Sequence, residues 1–189
     1  MDLVFFGIQG SGKGTQAKRL AAEFGYDIFE AGGELRKIAA SGTTLGETVK
    51  SYIDFGKLVP HEIIMKVVET AILKRKPDQK ILFDGIPRDT EQQQAFDAIM
   101  ERVGRPFRCI HLKLDPKEGV KRILERAEIE GRADDASEGT IRKRMRIFTE
   151  KTMPVIERYQ REGTVTEVDG TKTVEEVYAA MKALLSFHS

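Results

Sequence analysis

The sequence predicts a three-layer α/β/α fold of the P-loop type, with a central parallel five-stranded sheet covered by helices on both faces. Short apolar segments alternate with longer amphipathic segments along the chain. This alternation is typical of parallel sheets built from strand–helix–strand crossovers. The first apolar segment, Leu3–Phe6, leads directly into a glycine-rich loop, and a helical pattern follows that loop. A phosphate-binding loop requires this order of strand, loop and helix.

The predicted strands are short apolar runs that are separated by turn or helical patterns. They cover residues 3–6, 26–29, 80–84, 107–114 and 164–168. In a parallel sheet, ligands bind outside the carboxyl ends of the strands. The loops that follow Phe6 and Phe83 are therefore the first places to look for a site.

The predicted helices rest on apolar residues that recur every three or four positions. After the glycine-rich loop these positions are Ala17, Leu20, Ala21 and Phe24. Aspartates that can act as N-caps mark two later helix starts, at Asp115 before Pro116 and at Asp135. The remaining patterns predict helices over residues 31–40, 45–54, 61–74, 90–100, 116–127, 135–159 and 174–185.

Composition restricts the function. A chain of 189 residues predicts a single domain over residues 1–189. The formal net charge is +1, which gives no support to a nucleic acid or a membrane as partner. Cys109 is the only cysteine, so the sequence indicates neither an intrachain disulfide nor a cysteine-based zinc site. With no signal-peptide pattern and no apolar run of about 18 residues, we expect a cytoplasmic monomer that binds small molecules.

The glycine-rich loop predicts a site for phosphate groups. Its glycines allow a tight turn in which successive backbone N–H groups point inward, and the helix behind it favours an anion at its N-terminus. Lys13 adds a full positive charge. One residue departs from the general pattern, because Gly14 follows the lysine and the hydroxyl residue, Thr15, comes one position later. The predicted donor-phosphate residues are Gly10, Ser11, Gly12, Lys13, Gly14 and Thr15.

A second candidate site follows the strand at 80–84. Asp84 closes this apolar strand, as a magnesium-holding acid does in P-loop enzymes. The alternative is a turn or helix-capping aspartate. The next residues, Gly85–Arg88, favour a functional loop, since an arginine on a rigid proline-bearing loop can bind a phosphate through two hydrogen bonds.

Together these motifs give the chain a resemblance to the nucleoside monophosphate kinases, and most of all to the adenylate kinase family. The lysine-glycine-threonine order is the family's own form of the phosphate loop. The motifs occur in the family's order over nearly the whole chain, and they are Gly7–Gln16, Gly32-x-x-Leu35-Arg36, Gly56–Pro60, Asp84–Arg88, Gly131–Asp135 and Val168–Gly170.

The resemblance implies reversible, magnesium-dependent transfer of the ATP γ-phosphoryl group to AMP, which gives two ADP. It implies catalytic roles for Lys13, Arg88, Arg132 and Arg144. On the ATP side it adds Arg122 and Arg126 to the phosphate loop, and Asp84 would hold Mg²⁺ through water. Lid acids Asp134 and Asp135 would orient the arginines of a short lid over residues 126–136.

For the acceptor, the resemblance implies an AMP-binding insertion over residues 30–59. Arg36 and Arg88 would hold the acceptor phosphate, and Gln92 would read the adenine, although Gln93 offers the same amide one position later. The implied AMP-binding residues are Ala31, Arg36, Lys57, Val59, Gly85, Arg88, Gln92, Arg132 and Arg144.

Two departures leave alternatives open. Adenylate-type members usually carry threonine and aspartate where this chain has Ala31 and Gly33, and UMP/CMP kinases often carry alanine at the first position. A UMP/CMP kinase or a broad-specificity kinase is therefore the nearest alternative, and a non-catalytic nucleotide sensor is a more distant one. On helical geometry alone, Arg122 and Arg126 are ordinary solvated charges that pair with Glu125 or Glu130.

Overall fold

The computed structural model describes residues 1–130 and 138–186, and its described side chains are those of residues 1–125 and 138–185. The five strands form one sheet in the order β2-β3-β1-β4-β5, and every neighbouring pair is parallel. The predicted fold class is thus confirmed. The strands are β1 (Asp2–Phe6), β2 (Asp27–Glu30), β3 (Ile81–Asp84), β4 (Phe107–Lys113) and β5 (Val165–Asp169).

The helices connect these strands, and their bounds lie within a few residues of those that the apolar spacing predicts. None of the helices in the described part of the chain is long and apolar enough to span a bilayer. The helices are α1 (Lys13–Phe24), α2 (Ala31–Ala39), α3 (Thr44–Ile53), α4 (His61–Leu73), α5 (Thr90–Arg102), α6 (Pro116–Glu130), α7 (Glu138–Ile147), α8 (Met153–Arg161) and α9 (Val174–Ser186).

Two apolar layers lie on opposite faces of the sheet, because successive side chains of a strand point to opposite sides. Val4 and Phe6 of β1 belong to a cluster with α4, α5 and α8, whereas Leu3 and Phe5 belong to a cluster with α1 and α9. A smaller cluster joins Ile8 to apolar residues of α6 and α7. The phosphate loop is therefore anchored to the helices on both sides of residues 131–137.

The long helix predicted from residue 135 to Tyr159 is divided by a π-helical segment, Phe148–Thr152. Pro154 lies two residues beyond the end of this segment, and because proline has no N–H, the backbone cannot form the regular helical bond at that position. The segment places Thr152 in the interior, with 4% of its surface exposed. Asp135, the predicted cap, lies outside the described residues.

The strand order places three loop starts at one edge of the sheet. β1 lies beside β3, and β3 lies beside β2, so that Phe5 and Glu30 are both in register with Asp84. The phosphate loop, the start of α2 and the loop after Asp84 consequently emerge side by side. The two candidate loops of the sequence are neighbours for this reason.

Candidate active site

The phosphate loop joins the end of β1 to the start of α1. Gly10 and Gly12 have φ angles of +81° and +92°. Residues with a side chain disfavour such angles, and glycine at these two positions allows the loop to turn into the helix. The Lys13 ammonium donates to the carbonyl oxygens of Gly7 (2.6 Å) and Ile8 (2.9 Å). In this structure the lysine is thus held against the loop to which it belongs.

Helix α6 packs directly against this loop through a second glycine. A Cβ atom at Gly10 would lie 2.6 Å from the carbonyl oxygen of Gly119, and one at Gly119 would lie 2.6 Å from Ile8 Cδ1. Neither position has room for a methyl group. Sequence reasoning missed Gly119, although an isolated glycine within a helical pattern signals a close approach of this kind.

Arg122 lies on the same helix, beside the loop that follows β5. Its guanidinium donates to Glu118 Oε1 (2.9 Å) and to the carbonyl oxygen of Gly170 (3.0 Å). Arg122 thus pairs with Glu118, which is one turn back on the same face, and the side chain of Glu130 lies outside the described residues. The other predicted lid residues (Arg126, Arg132, Asp134 and Asp135) have side chains outside the described part.

Asp84 lies at the end of β3, between the phosphate loop and the loop that carries Arg88. Burial raises the pKa of the Asp84 carboxyl, and the charges of Lys13 and Arg88 oppose this rise. Burial lowers the pKa of the Arg88 guanidinium, and the negative charge of Asp84 opposes this fall. Each group therefore stabilises the charge of the other in surroundings that disfavour both.

The backbone of Arg88 is fixed on both sides. Its N–H donates to Gln92 Oε1 (2.8 Å), and its carbonyl oxygen accepts from Thr152 Oγ1 (2.8 Å). Its side-chain Nε donates to the carbonyl oxygen of Gly85 (2.7 Å). Sequence reasoning missed Thr152, because nothing in its helical pattern indicates that a π-helical turn directs it to a loop 64 residues earlier.

Three arginines converge on this edge of the sheet. The charges of Arg144 and Arg36 both lower the pKa of Arg88, which shows that the structure brings them into one electrostatic field. Gly56 packs against Arg144, since a Cβ at Gly56 would lie 3.5 Å from Arg144 Cγ, and Lys143 Nζ donates to the carbonyl oxygen of Phe55 (2.7 Å). The end of the 30–59 segment thus touches α7. Such a cluster of cations can bind and neutralise multiply charged phosphates.

A family model described as adenylate kinase matches residues 5–164 of this chain. The chain belongs to the adenylate kinase family. Two of the motifs that carry the resemblance, the phosphate loop and Asp84–Arg88, follow neighbouring strands of the sheet. The recognition of this family from sequence is thereby confirmed.

Several relatives are similar over almost their whole length. The adenylate kinase of Thermus thermophilus is 40% identical over 184 residues, which cover 97% of this chain and 96% of the relative. That of Maricaulis maris is 40% identical over 186 residues, with 98% of both chains covered. That of Archaeoglobus fulgidus is 31% identical, again with 98% of both chains covered.

The family's base-reading position falls on a buried amide. Gln92 and Gln93 are 2% and 1% exposed. Because a backbone N–H can only donate, the oxygen of Gln92 is the atom that accepts from Arg88, and its NH₂ group is the donor end of the same amide. The Gln93 Nε2 atom is buried without a hydrogen-bond partner among the described residues. The Arg88 contact favours Gln92 as the base reader, and this assignment stays a prediction.

Four other predicted acceptor residues lie on α2 or in the loops beside the site. Ala31 begins α2 and is 2% exposed, and Val59 is 5% exposed just before α4. Lys57 is exposed in the connecting turn, where its N–H bonds to the carbonyl oxygen of Tyr52 (2.9 Å). Gly85 lies under Arg88, since a Cβ there would lie 2.8 Å from Arg88 Nη2.

Glu30 is a charged residue of the site that sequence reasoning missed. It ends β2, and its Oε1 atom accepts a hydrogen bond from Arg36 Nη2 at 2.9 Å. Its charge also acts on Asp84 and Arg88. The sequence did offer a signal for Glu30, because a carboxylate at the carboxyl end of a predicted strand also singled out Asp84.

Proposed function

We propose that this adenylate kinase transfers the γ-phosphoryl group of magnesium-bound ATP to AMP, reversibly, and gives two ADP. The convergence of Arg36, Arg88 and Arg144 beside the phosphate loop carries this proposal. ATP and AMP repel each other, and phosphoryl transfer depends chiefly on positioning and on neutralising charge. A cluster of arginines facing a phosphate loop provides both.

On the donor side, the backbone N–H groups of the phosphate loop bind the ATP phosphates. Lys13 exchanges its two carbonyl contacts for the β- and γ-phosphates, which lie within reach of the same flexible side chain. Arg122 packs near the ATP base, and Arg126 serves as a further arginine of the lid. The donor residues are Gly10, Ser11, Gly12, Lys13, Gly14, Thr15, Arg122 and Arg126.

On the acceptor side, Arg36 and Arg88 bind the AMP phosphate, and Gln92 donates its NH₂ group to the adenine ring. Arg132 and Arg144 close on the transferring group and spread its charge over several donors. The 30–59 insertion forms the rest of the AMP site through Ala31, Lys57, Val59 and Gly85. The 126–136 lid then excludes water, which would otherwise accept the phosphoryl group from ATP.

The Asp84 site fits Mg²⁺. Magnesium prefers oxygen ligands, keeps several waters and is typically held by one or two carboxylates together with substrate phosphates. The described residues contain no group of three or more His, Cys, Asp or Glu side chains that could hold a metal ion, so an all-protein cage is not what these residues offer. Asp84 would hold the ion through water, and the ion would neutralise charge on the ATP phosphates.

The base of the acceptor nucleotide leaves a second function open, namely transfer to UMP or CMP. Ala31 is buried at the start of α2 and offers no side-chain hydrogen bond, which weakens the preference for AMP over UMP or CMP. The loss of one hydrogen bond of about 0.5–1.5 kcal/mol corresponds to roughly tenfold in selectivity or less. The buried amide of Gln92 still offers a donor at the base position, and we infer that AMP remains the preferred acceptor.

A coupled assay of ADP formation tests the proposal. The purified chain, ATP and Mg²⁺ are combined with AMP, GMP, CMP, UMP or dTMP. Preference for AMP is the expected result, and preference for UMP or CMP would make Ala31 the deciding residue. Binding of ATP without transfer to any acceptor would assign the chain to the nucleotide sensors, a function that gives no role to both Arg36 and Arg88.

A further inference from the structure

The carboxylate of Glu30 forms an ion pair with Arg36, the arginine that is proposed to bind the acceptor phosphate. Glu30 lies at the carboxyl end of β2, and its Oε1 atom accepts a hydrogen bond from Arg36 Nη2 at 2.9 Å. The two side chains are 52% and 44% exposed. A ligand can therefore reach this ion pair from solvent and compete for it.

The glycines at the start of α2 make room for this contact. A Cβ atom at Gly33 would lie 3.2 Å from Glu30 Oε2 and 3.5 Å from its Cδ, and one at Gly32 would lie 3.2 Å from Arg36 Nη1. Glu30 therefore folds back over the first turn of the helix, into space that a side chain at position 33 would restrict. An aspartate there, as the resemblance leads one to expect, would set a second carboxylate against Glu30. The unusual Gly33 and the Glu30–Arg36 pair thus form one arrangement.

We propose that Glu30 sets the affinity of the acceptor site, as a built-in competitor that the acceptor phosphate must displace from Arg36. The proposal rests on the role given to Arg36 under the proposed function. The phosphate of a nucleoside monophosphate and the Glu30 carboxylate are both anions, and both are acceptors for the same guanidinium donors. Binding of the phosphate accordingly requires that the carboxylate leave Arg36.

The charge of Glu30 reaches further than Arg36. The Glu30 charge opposes ionisation of Asp84 and favours the charged form of Arg88. It therefore contributes to the electrostatic potential on the acceptor side of the site. A negative charge at this place repels an incoming phosphate even after the carboxylate has moved. Both effects weaken acceptor binding, and neither involves the donor loop.

Equilibrium binding of AMP tests the inference directly. AMP is titrated calorimetrically into the wild-type protein, into Glu30→Gln, which keeps the shape and removes the charge, and into Glu30→Ala, which also removes the acceptor atoms. An exposed ion pair of about 0.2–1 kcal/mol corresponds to about 1.4- to 5-fold in a dissociation constant. We expect AMP to bind about threefold more tightly to both variants, with an unchanged affinity for ATP.

A matched control lies on α2, the helix that carries Arg36. Glu34 pairs with Lys37 Nζ at 2.7 Å, one turn along α2 and away from Arg36. Glu34→Gln removes the same charge and should leave AMP binding at the wild-type value. The difference between wild type and Glu30→Gln should shrink between about 50 mM and about 500 mM salt, because exposed charges are screened.

Equal or weaker AMP binding by both Glu30 variants would overturn the inference and would show that Glu30 only orients Arg36. The same proteins are assayed for ADP formation, which separates the two proposals. Wild-type protein that binds AMP but transfers no phosphoryl group would refute the proposed function alone. Wild-type protein that transfers normally, with no gain in AMP affinity in the variants, would refute the role of Glu30 alone.

Discussion

Thr152 offers a test of how the π-helical segment supports the site. Its hydroxyl donates to the carbonyl oxygen of Arg88 at 2.8 Å, and only 4% of the residue is exposed. Thr152→Val keeps nearly the same shape and removes the donor. The change therefore leaves the packing in place and deprives the backbone carbonyl of Arg88 of its bond from the buried Thr152.

The size of the effect follows from the burial of that bond. A buried acceptor left without its partner costs about 1–3 kcal/mol. The backbone of Arg88 has two fixed points, the other being its N–H bond to Gln92. Loss of the Thr152 bond allows Arg88 to shift. A displacement of about 1 Å can reduce the catalytic rate by up to about 100-fold. We expect kcat to fall about tenfold and the KM for AMP to rise, with the KM for ATP unchanged.

The assay compares ADP formation and urea unfolding for the wild type, Thr152→Val and Thr152→Ser. Serine keeps the hydroxyl and should retain most of the wild-type rate. A Thr152→Val variant that loses stability while kcat and the KM for AMP stay within twofold of wild type would refute the reasoning. Thr152 would then be a structural residue with no part in positioning Arg88.

Three further predictions test the site and the scaffold. Arg88→Ala should abolish most transfer while ATP affinity, measured by calorimetry, is retained; a loss of ATP affinity with normal turnover of bound ATP would contradict the assigned role. Arg105→Ala should lower the free energy of unfolding by about 3–5 kcal/mol, because Asp2 is 3% exposed and accepts two bonds from this guanidinium; urea unfolding measures this. Burial lowers the pKa of His111 below 6.5, so stability should fall as pH drops below that value, and His111→Leu should reduce this fall in pH-dependent unfolding.

The sign of the His111 effect follows from proton linkage. The unfolded chain takes up a proton near pH 6.5, whereas the folded chain, in which the ring is 5% exposed, takes it up only at lower pH. The contribution of His111 is therefore fully present above pH 6.5 and is lost as the pH falls towards the folded-state value. An identical acid-side slope in wild type and His111→Leu would show that another group titrates.

The sequence by itself determined the fold class, the family and the order of the site loops. These features depend on local patterns: apolar runs for strands, helical spacing for helices, and glycine with lysine for the phosphate loop. Because parallel strands end at a common edge, the pattern also predicted that the loops after Phe6 and Phe83 lie at the ligand-binding edge of the sheet, and in the structure the charge of Lys13 acts on Asp84. The 30–59 insertion and the 126–136 lid remain predictions as functional units.

Only the tertiary structure decided which side chains meet. The pairs Glu30–Arg36, Thr152–Arg88 and Gly10–Gly119 join parts of the chain whose local patterns say nothing about one another. Arg122 pairs with Glu118 and with the backbone carbonyl of Gly170, and sequence reasoning singled out neither partner. Such contacts depend on rotamers, on strand order and on the direction in which a π-helical turn aims a side chain, and these are fixed only when all the layers pack together.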